Sequence, residues 1–383
     1  MYGFSFKTKV AKLVVPRVAG GWYSPTGHLL YTSRDGGLYA TAFDAKQLEV
    51  SGGSVAVIDG VDPLRFTMSA SGTALYSADL TRALASELVW VARDGRRTPF
   101  DSTWRGRFEY PALSPDGRSL AVSVRDNTTD LWIRHADGTR QKIVTDGIVN
   151  WRSSWQADGK SLAFVSIGRL PENENLPVVY RVPADGSTKA ALLQRHTFGL
   201  WEVELSRDGE WMVVRADEES NDNNIYARRM RGDTTLIPIL AKRGGLTLDM
   251  ALSPDTRWLC YTSLESGQAE VWVTSFPDVK TKHMVSRGGG TEPRWSSTGR
   301  ELFFESGGQL MVVDVPSGPS FNPGNPKALF SLAGYHRARN RQQYDVAPDG
   351  QRFLMIKEAS NAVSAGVVYV ENWLPELRAK IKR

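Results

Sequence analysis

One short pattern recurs eight times along this chain and limits what it can fold into more than any other feature. It reads as an apolar residue, Ser or a substitute, two further residues, Gly or a substitute, and then an apolar strand. The copies are Tyr23-Ser-Pro-Thr-Gly27, Met68-Ser-Ala-Ser-Gly72, Leu113-Ser-Pro-Asp-Gly117, Trp155-Gln-Ala-Asp-Gly159, Leu205-Ser-Arg-Asp-Gly209, Leu252-Ser-Pro-Asp-Thr256, Trp295-Ser-Ser-Thr-Gly299 and Val346-Ala-Pro-Asp-Gly350. They return every 42–51 residues, the length of a four-stranded propeller blade.

Each element of the turn has a physical reason. Gly takes backbone angles that a Cβ would forbid. The Ser and Asp before it accept local backbone hydrogen bonds, and Pro presets the first dihedral of the turn. The pattern is therefore a hairpin between the first and second strands of a repeat. The turn Asp residues are explained by that role, without a metal.

The strands after each turn are shared as well. An alternating strand such as Ser119-Leu-Ala-Val-Ser123 or Trp258-Leu-Cys-Tyr-Thr262 comes first. A second strand with a large apolar residue comes next, such as Asp130-Leu-Trp-Ile-Arg134 or Glu270-Val-Trp-Val-Thr274. It often ends in a hairpin pair, as at Asp94-Gly95, Asp137-Gly138 and Asp185-Gly186. A short outer strand completes the unit.

The expectation is an all-β fold: one eight-bladed β-propeller of four-stranded antiparallel blades over residues 1–383. The blades are expected at about 22–60, 65–100, 108–145, 150–194, 200–241, 247–286, 292–331 and 342–371. The last lacks a fourth strand of its own, and residues 10–15 are expected to supply it, closing the last blade and covering its edge. Residues 373–382 read as a short C-terminal helix with cations at its favourable end.

Composition narrows the class. Twelve Trp, 12 Tyr and 14 Phe supply ample core surface and exclude a wholly disordered chain. One cysteine, Cys260, excludes an intrachain disulfide and any multi-cysteine metal centre, and its alternating strand makes it a core residue. Lys and Arg number 47 against 42 Asp and Glu, a net charge of +5. That favours an acidic partner or an anionic surface and is too diluted to imply nucleic acid. No run of about 18 apolar residues occurs, and Lys7, Lys9 and Lys12 interrupt the first apolar stretch. The expected location is cytoplasmic, with peripheral contact to an anionic membrane.

Certain segments resemble a known family. They are Gly21-Trp-Tyr-Ser-Pro-Thr-Gly-His-Leu-Leu-Tyr31, Tyr110-Pro-Ala-Leu-Ser-Pro-Asp-Gly-Arg-Ser-Leu-Ala-Val122 and Gly288-Gly-Gly-Thr-Glu-Pro-Arg-Trp-Ser296. Tyr344-Asp-Val-Ala-Pro-Asp-Gly-Gln-Arg-Phe-Leu-Met355 and Val370-Glu-Asn-Trp-Leu-Pro-Glu-Leu377 match as well. Together they resemble TolB-like, WD-type propellers, and most nearly the C-terminal propeller of bacterial serine/threonine protein kinases. The resemblance covers nearly the whole chain. It implies the fold, with a sensing or interaction role, and it says little about function because propellers host many roles. No kinase motif accompanies it in these residues.

Catalytic residues are not expected. There is no phosphate-binding Gly loop and no Gly-x-Ser-x-Gly. His28, His135, His196, His283 and His336 fall in different repeats. Asp217–Asn224 is acidic but lacks the order of a calcium loop. No cofactor and no metal are expected.

A partner-binding face is expected instead where each innermost strand begins. It collects Trp104, Arg105 and Arg107, then Trp151, Trp201, and Tyr335, Arg337, Arg339 and Arg341. Aromatic and Arg residues are the usual anchors of protein interfaces; capping of blade packing is the competing role for the Trp side chains. The leading function is a non-catalytic scaffold or accessory subunit that binds protein partners in a larger assembly. The alternatives are a propeller that senses a ligand or peptide, and a hydrolase or lyase with its site at the channel mouth.

Overall fold

A computed structural model describes residues 1–16, 18–33, 37–59, 61–78, 86–126, 128–144, 147–168, 176–217, 223–241, 246–336, 342–358 and 367–381. The chain forms two compact units. One comprises Met1–Ala85 with Ala359–Arg383; the other is Ser86–Glu358.

The first unit opens with a hairpin, β1 (Tyr2–Ser5) against β2 (Val10–Leu13). Next is a four-stranded antiparallel sheet made of β3 (Val18–Ser24), β4 (His28–Ser33), β5 (Gly37–Asp44) and β6 (Glu49–Asp59). Then come β7 (Val61–Met68) and β8 (Ala74–Ala78).

The second unit begins with β9 (Ser86–Ala92) and β10 (Arg97–Pro99). Next are β11 (Arg105–Leu113), β12 (Leu120–Arg125), β13 (Thr129–Arg134) and β14 (Arg140–Val144). They are succeeded by β15 (Val149–Trp155), β16 (Ser161–Ile167), β17 (Val178–Pro183) and β18 (Ala191–Gln194). The next four are β19 (Leu200–Leu205), β20 (Trp211–Asp217), β21 (Asn223–Arg229) and β22 (Ile237–Leu240). After them stand β23 (Thr247–Leu252), β24 (Trp258–Ser263), β25 (Glu270–Ser275) and β26 (Lys282–Met284). The unit ends with β27 (Thr291–Trp295), β28 (Glu301–Ser306), β29 (Gln309–Asp314), β30 (Lys327–Ser331), β31 (Tyr344–Val346) and β32 (Arg352–Lys357). The chain then returns to the first unit as β33 (Val367–Val370) and α1 (Trp373–Ile381).

Two of the expected blades trade strands. Residues 65–100 do not make a sheet of their own, and neither do residues 342–371. Instead β31 and β32 pair with β9 and β10, with Leu354 opposite Trp90 and Ile356 opposite Leu88. In the first unit, β33 pairs with β8, which pairs with β7. The closure expected from residues 10–15 is corrected too: β2 pairs with β1, Tyr2 opposite Leu13, and the last blade takes β9. Eight turns head eight groups of strands among the described residues, six in the second unit and two in the first, and the pairings of β11 with β9 and of β13 with β15 join three of the six into one twelve-stranded sheet. The physical reason is that near-equivalent repeats offer equivalent edges. Local pattern says which residues extend, and it does not say which neighbour they pair with.

Within the second unit the six four-stranded groups touch through their first strands. Strand β31 contacts β11, β11 contacts β15, and the succession runs through β19, β23 and β27 back to β31. Tryptophans stitch neighbours together. Trp155 Nε1 donates to Ala112 O at 2.9 Å, and Trp295 Nε1 donates to Ala251 O at 3.3 Å. Each sits in an apolar cluster shared by two sheets, such as Ala112, Leu131, Ile133, Trp155, Phe164 and Val182. In the first unit α1 buries Trp373 and Leu377, one helical turn apart, against Leu30, Leu38, Val57 and Phe66. Its Trp373 N–H is held by Gly72 O at 3.0 Å.

Candidate functional site

The turns behave as their sequence requires. Asp116 accepts bonds from Ser114 Oγ at 2.6 Å and Arg118 N at 3.0 Å. Gly117, Gly159, Gly209, Gly299 and Gly350 have φ of 65–70°, and Thr256 takes the same conformation at 59°. These turns fix a common register for the six first strands of the second unit. Four residues before the turn Ser, or its substitute, stand Tyr110, Arg152, Glu202, Asp249, Glu292 and Gln343. All six are buried. Four of them, Tyr110, Arg152, Asp249 and Glu292, have φ of 51–53° beside a register shift in the strand. A bulge of this kind re-aims side chains, and such bulges are frequent at functional sites.

This layer is an ion network. Arg152 Nη1 lies 3.0 Å from Glu202 Oε2, and Arg152 Nη2 lies 3.6 Å from Asp249 Oδ1. Glu202 also accepts from Arg215 Nε at 2.7 Å and from Asp249 N at 3.2 Å. Burial would raise the Glu202 carboxyl, but Arg152 and Arg215 hold it below the usual carboxylate range. Glu292 is pushed the other way, first by burial and then by Glu305 and Asp249, so it keeps its proton well above that range. Its Oε2 accepts the Gln343 N–H at 3.0 Å.

Two residues before the turn Ser comes a second layer: Ala112, Ser154, Glu204, Ala251, Arg294 and Asp345. One residue after it come Pro115, Ala157, Arg207, Pro254, Ser297 and Pro348. All twelve line one pocket of about 160 Å³. The second layer forms its wall and the turns form its rim. Arg207 Nη1 reaches across to Ser297 O at 3.1 Å. Asp345 Oδ2 accepts the Leu113 N–H at 2.7 Å, and its Oδ1 accepts the Val346 N–H at 2.8 Å.

Burial pushes the Glu204 carboxyl up to about 7, with Asp345 adding to the rise and Arg294 opposing it. Asp345 is raised by the same burial. Arg294 stays charged, because the nearby carboxyl groups of Glu204 and Asp345 outweigh its own burial. Near neutrality the two guanidinium groups therefore face a pair of carboxyls of which one is about half protonated. The pocket is biased toward an anion.

The residues expected to bind a partner lie elsewhere. Trp104 is buried edge-on to Phe108, with ring centroids 5.0 Å apart, under Arg140. Trp151 is buried and donates to Trp201 O at 3.3 Å, their rings 6.0 Å apart. Tyr335 is buried under Arg97, 4.7 Å from its ring. Trp104, Trp151 and Tyr335 thus pack inward, and Trp201 is half-buried. Arg105 is exposed and pairs with Glu87 at 2.7 Å. Arg107 sits opposite Arg125 in the strand register. Arg337, Arg339 and Arg341 lie outside the described residues, as does 218–222 of the acidic loop. Trp104, Arg105 and Arg107 precede or begin β11, whereas the pocket gathers where the first strands end.

Sequence reasoning missed Glu204, Arg207, Arg294 and Asp345. Stacking the turn copies on one another would have found them: positions otherwise held by Ala, Ser or Pro carry charge in these three repeats. Cys260 is buried, donates to Ala251 O at 3.2 Å and is pushed up to about 12 by burial, so it holds its proton. No cluster of three His, Cys, Asp or Glu residues suited to a metal occurs among the described residues. No described helix is long and apolar enough to cross a membrane.

No protein-family model and no curated protein matches this sequence. Solved structures do. A putative TolB from Agrobacterium tumefaciens is 17% identical, with a TM-score of 0.57 over 72% of this chain and 99% of its own. TolB from Acinetobacter baumannii is 12% identical, with a TM-score of 0.47 over 88% of this chain and 79% of its own. An oligogalacturonate lyase from Vibrio parahaemolyticus is 12% identical, with a TM-score of 0.48 over 79% and 97%. With its four-stranded sheets and converging first strands, the chain falls in the β-propeller class. Within that class its fold is TolB-like.

Proposed function

We propose that the protein is a non-catalytic interaction propeller, an accessory subunit of a larger assembly. In this reading the second unit is a closed ring of six blades. Its pocket seats an acidic side chain or a chain-terminal carboxylate from a partner protein. The observation that carries the reading is the pocket itself: six turns around a cleft lined by Arg207 and Arg294. About 160 Å³ is below the roughly 300–1,000 Å³ of sites for whole small molecules. It suits one anchoring side chain, the way a protein interface concentrates its energy. Paired guanidinium groups are the usual complement of a carboxylate. The likeness to kinase-linked propellers belongs to the same reading, as a module that senses or docks a peptide.

A photo-crosslinking residue at Ser297, in protein returned to its native source, tests this. The wild type should capture a protein partner, and Arg207→Glu should reduce capture about tenfold or more, the size of one charge-assisted bond. Capture unchanged by Arg207→Glu, or none at all, would refute the reading.

The proton held by Glu204 favours one second reading, acid–base chemistry with Asp345, as in a hydrolase or lyase. It requires turnover of a glycoside or uronate panel that disappears in Glu204→Gln.

A further inference from the structure

The hairpin of β1 and β2 joins no larger sheet among the described residues. Its register sets Tyr2 opposite Leu13 and Phe4 opposite Ala11. Alternation puts these four side chains on one face, and Phe6 continues the row past the strand end. The face is bare. Tyr2 is 71% exposed, Phe4 48%, Phe6 83% and Leu13 51%. Phe4 and Phe6 stand edge to face, 5.3 Å apart.

The other face meets the unit at Gly3 and Lys12, while its Val10 is 58% exposed. A Cβ on Gly3 would come within 3.0 Å of Leu48 and 3.2 Å of Val14. Lys12 pairs with Glu49 at 2.5 Å. The aromatic face is therefore turned outward by how the hairpin is attached. The tip between the strands carries Lys7 and Lys9, both exposed, with its turn closed by Lys9 N–H to Ser5 O at 2.8 Å. Residues 2–13 contain three Lys and neither Asp nor Glu.

We propose that this hairpin docks the protein on a lipid bilayer that carries anionic headgroups. A row of rings with flanking ammonium groups matches the two layers of a membrane interface. Aromatic rings settle at the boundary of headgroups and acyl chains, and Lys side chains reach the phosphates. Reach sets the mode of binding. Strands of four residues extend about 13 Å. That is enough for an interfacial depth of about 5–10 Å and too short for a hydrocarbon core of about 30 Å. Contact is peripheral. The proposal concerns the first unit and stands independently of the pocket.

The full chain is sedimented with vesicles of phosphatidylcholine alone, or of phosphatidylcholine mixed with phosphatidylglycerol. The protein should pellet with the mixed vesicles and much less with the neutral ones. Phe4→Ser combined with Phe6→Ser should weaken binding about tenfold or more. Lys7→Glu combined with Lys9→Glu should remove the preference for anionic vesicles, each Lys being worth about fivefold. The four side chains are exposed, so an unchanged thermal melt certifies both variants as folded. Three outcomes would overturn the proposal: no binding by the wild type, equal binding by the Phe variant, or self-association that the Phe variant abolishes. The last would assign the face to a second copy of the chain.

Discussion

Arg152 lies buried between Glu202 and Asp249, and the three belong to different sheets of the second unit. Ions so placed are costly to remove from water, and they persist where each has several partners. Glu204 stands two residues along the strand from Glu202 and meets the opposite fate. Its ordinary value of 4.5 rises to about 7 in the folded chain. Between those two values the folded state binds more protons than the unfolded one, so stability falls as pH rises through that window. Glu204→Gln should remove the fall. Its gain over the wild type is expected to be of order 1–3 kcal/mol at about pH 8 and near zero at about pH 4. Urea unfolding at the two pH values checks this, and an equal gain at both would contradict the assignment. None of this could be read from Glu204 alone. In sequence it is one polar residue in an alternating strand, and only its place two residues ahead of the turn puts it in a pocket.

At the level of elements, strands and turns were legible because they obey local rules. Period-two alternation marked the strands, and Ser-Pro-Asp-Gly marked the hairpins. Leu252-Ser-Pro-Asp-Thr256 departs from the pattern, and the structure shows the cost. Thr256 adopts φ 59°, a conformation unfavourable for a β-branched residue. Thr256→Gly should stabilise the protein by roughly 1 kcal/mol, read as a higher midpoint in thermal melts. A lower midpoint would mean that the Thr side chain contributes more than the backbone strain costs. Strand partners were not legible. The segments 65–100 and 342–371 carry the right strands, but nothing local in β9 distinguishes β8 from β32 as its neighbour. The aromatic row at Trp104, Trp151 and Tyr335 was ambiguous in sequence for a related reason. Large rings suit an interface and a sheet-to-sheet seam equally, and burial decides between them only once the sheets are in place.

Across the whole molecule, the decisive link is β9 with β32. Glu87 and Lys357 stand opposite each other in that pairing, with Oε2 and Nζ 3.4 Å apart. Directly opposed residues of antiparallel strands approach closely enough for a disulfide. Glu87→Cys with Lys357→Cys should therefore crosslink under mild oxidation, giving a faster band on a non-reducing gel. It should also raise stability by up to about 4–5 kcal/mol, as expected for so long a loop. A chain whose blades each kept their own strands would leave both thiols free. Cys260 is buried and does not compete.

The exchange of strands also bears on synthesis at the ribosome. Strands β8 and β9 leave early and must each wait with an open edge until residues 352–370 arrive, because β33 and β32 are their partners. Domains ordinarily fold one after another as they emerge. Here neither half can finish before the other is nearly made, so the nascent chain carries unpaired strand edges through most of its translation.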